Sequence, residues 1–155
     1  MTASYGAYVL SATRYRNPWS PRQAFFYAGG EVRSPDKNYT GQCDHFVAWC
    51  YGWAGSGQTS AIQHWGAIPS GYKFTRGTPP AGALVFWSVG RYGHVAISAG
   101  DGTCFSTDFR RTGKVDRVRI ADITKGWGAR YLGWSRPVFP NGFGKNPNKP
   151  PRLPS

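Results

Sequence analysis

Hydrophobic and polar positions change their period once along the chain. Residues 1–19 show no sustained period, helical spacings appear in short stretches between about residues 20 and 65, and from residue 83 onward the apolar positions form short blocks separated by Gly-containing turns. In the first half, Ser20 followed by Pro21 and closed by Gly29-Gly30 predicts a short helix over 20–28, with serine as N-cap and proline in the first turn. A second helix is predicted over Thr40–Tyr51, where Phe46, Val47 and Cys50 follow Cys43 at spacings of three, four and seven. Gly52 or Gly55 supplies its stop. Ser60–Trp65 reads as a third, brief helix, followed by a Gly- and Pro-containing loop to about residue 80.

The second half reads as strands: Ala83–Trp87, His94–Ser98, Thr103–Thr107, Val115–Ile120 and Tyr131–Trp134, with one helical turn over 121–126. Ala99-Gly100-Asp101-Gly102 has hairpin-turn chemistry. Helices first and strands afterwards predict an α+β fold with an antiparallel sheet of about five strands.

Composition narrows the picture. A chain of 155 residues is long enough for one domain with a real core, and 25 aromatic residues (7 Trp, 9 Tyr, 9 Phe) argue against disorder over most of its length. Residues 1–39 form an irregular arm and a short helix packing on the domain, 40–139 the core, and 140–155 a flexible Pro-, Asn- and Lys-rich basic tail. With 19 Lys and Arg against 7 Asp and Glu, the formal charge of +12 draws the protein to polyanions such as anionic wall polymers, acidic membrane surfaces or nucleic acid. The basic residues are scattered singly and no nucleic-acid-binding motif is visible, which disfavours the last. No run of 18 apolar residues occurs, so no membrane span is expected, and the first residues show no basic region followed by an apolar core of the export type. Three cysteines, at 43, 50 and 104, do not make a disulfide framework; a Cys50–Cys104 bridge would leave Cys43 as the unpaired thiol.

Candidate chemistry centres on Cys43. With Thr40 as N-cap the thiol sits at the third helical position, where the helix dipole favours thiolate and unpaired N–H groups can bind an oxyanion. Gln42 can donate another hydrogen bond. His94 opens a strand directly after the turn Arg91-Tyr92-Gly93, on a rim from which a ring can serve Cys43 as general base. Ser106 and Asp108, two residues apart on the following strand, share a face and compete to orient that ring. Asp108 is preferred for its charge; Ser106 lies nearer mid-strand. His45, about 200° around the helix from Cys43, points away from the thiol, which disfavours a zinc site. Trp87, Tyr92, His64 and Trp65 are candidate substrate-binding residues, although packing suits His64 better. Neither a metal nor a cofactor is called for.

Gly41-Gln42-Cys43 at a helix start, Pro80-Ala81-Gly82-Ala83-Leu84-Val85-Phe86-Trp87, Gly93-His94-Val95-Ala96-Ile97 and Gly100-Asp101-Gly102 together resemble the CHAP and NlpC-type cysteine peptidases of the papain-like fold. The resemblance covers roughly residues 40 to 136. It implies Cys43 as nucleophile, His94 as base and Ser106 or Asp108 as the orienting residue, although the family often has His, Asn, Gln or Glu in that third place. It further implies hydrolysis of peptidoglycan amide bonds, by an endopeptidase or an N-acetylmuramoyl-L-alanine amidase. A monomeric phage lysin or delivered bacterial toxin, acting at the cell wall after release, fits that chemistry. A papain-like enzyme acting on a protein, or a module of this fold without catalysis, are the other readings.

Overall fold

The structure, a computed structural model, describes residues 8–12 and 14–154. The chain forms α1 (Pro21–Arg33), α2 (Cys43–Cys50), α3 (Ala61–Ala67), a 3-10 turn (Ser70–Tyr72), β1 (Lys73–Phe74), β2 (Leu84–Ser88), β3 (His94–Ser98), β4 (Thr103–Thr107), β5 (Val115–Arg119), α4 (Ile120–Trp127) and β6 (Arg130–Ser135). The six strands make one antiparallel sheet in the order β1-β6-β2-β3-β4-β5. The α+β architecture is the expected one and is consistent with a papain-like fold. The sixth strand, β1, is too short to carry any alternation in sequence; it is held at the sheet edge by Phe74 stacking on Trp134, with ring centroids 4.4 Å apart.

The sheet is covered on both faces, which explains the near-continuous apolar runs of β2 and β3. Leu84, Phe86, Val95 and Ile97 belong to a core shared with the first three helices. Val85, Trp87 and Ala96 face a second, smaller core closed by Ile123 of α4. At about 25 cal/mol per Å2 of apolar surface buried, these two layers supply the main drive for folding. Among the described residues no helix is long and apolar enough to cross a membrane.

Two helices depart from expectation, each for a local reason. Ser20 caps α1 as anticipated, in a reciprocal capping box with Gln23. The helix nevertheless continues through Gly29-Gly30, because Glu31 beyond them is buried and binds the Tyr39 hydroxyl and the Asp36 N–H. The second helix begins later than predicted: Gln42 is its N-cap and Cys43 its first residue. Thr40 lies outside the helix, because Gly41 takes φ +67° and the first helical bond runs from the Phe46 N–H to the Gln42 carbonyl. The C-terminal stop falls at Gly52, whose φ of +87° is accessible to glycine and where a Cβ would lie 2.8 Å from Trp19 Cγ.

The first seven residues of the N-terminal arm lie outside the described residues. Val9 donates to the Ala81 carbonyl and Trp19 to that of Tyr51, pinning the rest of the arm to the domain. Residues 140–154 contribute more than a basic composition suggests. Asn146 is buried, its N–H donates to the Gly52 carbonyl at 2.8 Å and its side chain to the Trp49 carbonyl at 3.0 Å, so it closes the open end of α2. Asn148 donates to Asp36 and to the Tyr27 hydroxyl. Cys50 and Cys104 are both buried free thiols, so the bridge left open by the sequence is not formed.

Candidate active site

The N-terminus of α2, the start of β3, the end of β4 and the loop before α3 enclose a cavity of about 420 Å3. Its lining includes Gln42, Cys43, Gln58, Tyr92, His94 and Asp108. Cys43 is half-buried at the first turn of the helix, and its N–H has no intrahelical partner because the first backbone bond runs from Phe46 to Gln42. Gln42 is exposed and its side chain makes no capping bond, which leaves the amide available to a ligand.

The helix start does not make the resting thiol acidic. Burial pushes Cys43 up to about 12; the Val95 and Asp44 N–H groups pull against it, and the carboxylates of Asp44 and Asp108 push further upward. Desolvation therefore outweighs the helix-terminus effect that the sequence suggests, and the thiol keeps its proton at neutral pH.

His94 is 4% exposed and lies on the same wall of the sheet as Trp87. Its ring is held against Trp127 edge to face, centroids 4.8 Å apart, and against Trp87 at 5.7 Å. Gly93 makes the placement feasible: at φ +73° it turns the chain where a Cβ would lie 2.9 Å from the Trp87 carbonyl oxygen. Burial lowers the imidazole to about 4, opposed by the Asp108 charge, so the ring is neutral at pH 7.

The tautomer follows from the bonds of Ser106. Its oxygen lies 2.8 Å from His94 Nε2 and 3.1 Å from the Thr107 carbonyl, and a hydroxyl that donates its one proton to that carbonyl accepts from Nε2–H. The ring then carries its proton on Nε2, and Nδ1 keeps a lone pair. This is the tautomer a general base requires.

Asp108, the preferred orienting residue on charge, makes different bonds. Continuing the register Ile97↔Phe105 would set residue 108 opposite His94, but β4 ends at Thr107 and Asp108 takes φ +67°. This left-handed turn swings the carboxylate out of the strand face shared with Ser106. Its oxygens accept the Gly41 N–H at 2.9 Å and the Gly113 N–H at 2.6 Å. Asp108 thus ties the entry of the nucleophile helix to the loop after β4, and the hydrogen bond to His94 comes from Ser106.

Of the four residues expected to bind substrate, Tyr92 lines the cavity and is 61% exposed. Trp87 is fully buried behind His94, its Nε1 donating to Thr124 Oγ1. Trp65 packs on Phe86 and beneath the Lys73 ammonium, outside the cavity lining. His64 is fully buried, Nδ1 bonded to Asp44 Oδ1 and Nε2 to the Val138 carbonyl, so it packs rather than meeting substrate. His45 borders the cavity, but Lys37 Nζ lies 3.1 Å from its Nε2 and its ring rests on Trp49. Asp44, Gln58 and Trp127 went unrecognised in the sequence. Gln58 Nε2 is buried without a hydrogen-bond partner, a spare donor beside the cavity. Its only sequence signal is its place in a polar loop, which many surface glutamines share.

The family model described as CHAP domain matches residues 34–106. That stretch holds Cys43, His94 and Ser106 and ends before Asp108. Comparison with curated proteins gives no match.

Proposed function

We propose, from the premise that this chain carries a CHAP domain, that it is a Cys43–His94 thiol hydrolase of amide bonds in peptidoglycan. CHAP domains are Cys- and His-dependent amidohydrolases or peptidases. The single observation that carries the assignment is the His94–Ser106 bond, which leaves Nδ1 as the free basic nitrogen in a cavity that Cys43 also lines.

The two neutral groups set the order of events. The thiol holds its proton and the imidazole holds one, so proton transfer from Cys43 Sγ to His94 Nδ1 accompanies attack rather than preceding it. Sulfur bonds to the amide carbonyl carbon, and the negative charge passes to the carbonyl oxygen. The Cys43 N–H and the Gln42 side chain receive that oxyanion. The C–N bond then breaks while His94 returns its proton to the departing amine, leaving a thioester. Water, deprotonated by His94, hydrolyses the thioester to a carboxylic acid and restores the thiol. Ser106 accepts from Nε2–H throughout and stabilises the transient imidazolium as a neutral dipole. Tyr92 and the Gln58 amide border the space for the substrate chain.

The charge of +12 supports a wall substrate, since teichoic-type and other anionic polymers concentrate a cation at their surface. On this reading the protein works at the bacterial cell wall, cutting either a stem or cross-bridge peptide or the bond from muramic acid to the first alanine. Clearing of purified cell walls, followed as loss of turbidity, tests it: wild type clears the suspension and Cys43→Ala leaves it turbid. Full clearing by Cys43→Ala would overturn the mechanism.

A further inference from the structure

Directly after the nucleophile stands an acid–histidine pair. Asp44 is 7% exposed, and each of its oxygens has one donor: Oδ1 meets His64 Nδ1 at 2.6 Å, and Oδ2 receives the Ser56 hydroxyl at 2.5 Å. His64 is wholly buried, its ring set edge to face on Phe86 and tilted over Phe139, with centroids 5.4 and 5.0 Å away. Its other nitrogen lies 2.7 Å from the Val138 carbonyl. Both ring nitrogens face oxygen atoms, so the ring is held at both ends. The pair joins α2, α3 and the segment after β6 at one point.

Its location makes it more than a core fastener. The charged and titratable groups that line the cavity with Cys43 are Asp44 and His45 from its own helix, Asp108 from beyond β4, Tyr92 from the turn before β3 and His94 from β3. Asp108 spends its oxygens on Gly41 and Gly113. Asp44 is the other carboxylate next to the sulfur, and a bare charge there would oppose both the thiolate and the oxyanion that forms on attack. Two N–H groups of this helix start serve the sulfur and the oxyanion, so a small rotation of the first turn would misplace both.

We propose that His64, acting through Asp44, is a positioning residue for Cys43: its bond to Asp44 fixes the first turn of the nucleophile helix and holds the carboxylate in place beside the thiol. The proposal rests on Cys43 being the nucleophile but concerns a residue that does not touch substrate. Ser56, the other hydrogen-bond partner of Asp44, is neutral, and the His45 ring nitrogen lies against Lys37 Nζ instead.

The test is the rate of Cys43 alkylation by iodoacetamide at about pH 8, read by peptide mapping, together with kcat and KM on a soluble muropeptide and thermal melting of each variant. Cys50 and Cys104 are buried and serve as internal controls for folding. His64→Gln takes the partner from Asp44 Oδ1, and kcat falls about tenfold or more with KM nearly unchanged. Asp44→Asn removes a carboxylate that pushes the thiol upward, so Cys43 alkylates faster than in wild type while kcat still falls, because the first turn has lost its anchor. If His64→Gln does not fold, Asp44→Asn decides the matter: a kcat at or above wild type would overturn the proposal. So would a His64→Gln kcat equal to wild type in a folded protein, or activity that falls only in step with melting temperature. A Cys43→Ala protein that still hydrolyses muropeptide would instead overturn the nucleophile assignment, which the alkylation data do not touch.

Discussion

Replacing Ser106 by alanine removes one oxygen from the site, and the structure sets the size of the effect. The hydroxyl is 1% exposed, and the ring it serves is 4% exposed, so no bulk water stands ready to replace it. If the ring keeps its proton on Nε2, a buried donor is left without a partner at a cost of about 1–3 kcal/mol. If the proton moves to Nδ1 to escape that cost, the nitrogen facing the cavity is no longer a base. Either route reduces the population of competent tautomer. With tenfold in rate for each 1.36 kcal/mol, kcat is expected to fall about 5- to 150-fold. The substrate does not touch Ser106, so KM should change by less than about twofold. Steady-state kinetics on a soluble muropeptide at pH 7, with a thermal melt to establish folding, measures both. Asp108→Asn is the control: it disturbs the bonds to Gly41 and Gly113 while the Ser106–His94 bond stays intact, so its kcat should exceed that of Ser106→Ala. A Ser106→Ala enzyme within twofold of wild type, or one more active than Asp108→Asn, would refute the tautomer argument.

Two further consequences follow from the same geometry. Because burial holds His94 near 4 while an unfolded chain protonates it below about 6.5, protons favour the unfolded state within that window; stability should therefore fall by about 3 kcal/mol as pH drops from 6.5 to 4, and His94→Gln should flatten that part of the denaturation profile. Asn146→Ala removes the donor to the Trp49 carbonyl and the acceptor for the Asn148 N–H, at a cost of about 1–3 kcal/mol, so Tm should fall by roughly 2–12 °C by calorimetry, and an unchanged Tm would contradict the strap.

What the sequence made legible, and what it hid, divides along the range of the interactions involved. Apolar periodicity suffices to place α2, β2, β3 and β4, because each is anchored by its own hydrophobic face, and Cys43 and His94 fall at the ends of such elements. Of the two orienting candidates, Asp108 was preferred on charge and on an ideal strand, whereas a single left-handed φ turns that carboxylate to Gly41. The N-cap shifted by two residues because Gly41 takes a left-handed φ of +67°, which keeps Thr40 out of the helix. The Asp44–His64 pair spans two helices and a carbonyl 74 residues further on, and Asn146 reaches back 97 residues to cap α2; no local pattern carries either. The direction of the thiol shift was also beyond sequence, since the outcome depends on how much of the sulfur's surroundings is dry.

The central claim is that Cys43 forms a covalent bond to the acyl half of a peptidoglycan amide. Mass spectrometry of rapidly quenched mixtures with defined muropeptides, on both the protein and the released fragments, tests it most directly. Wild type should give an acyl adduct mapped to the Cys43 peptide together with fragments cut at one amide bond, and Cys43→Ala should give neither. Fragment release by Cys43→Ala, or turnover by wild type with the adduct on another residue, would contradict the account.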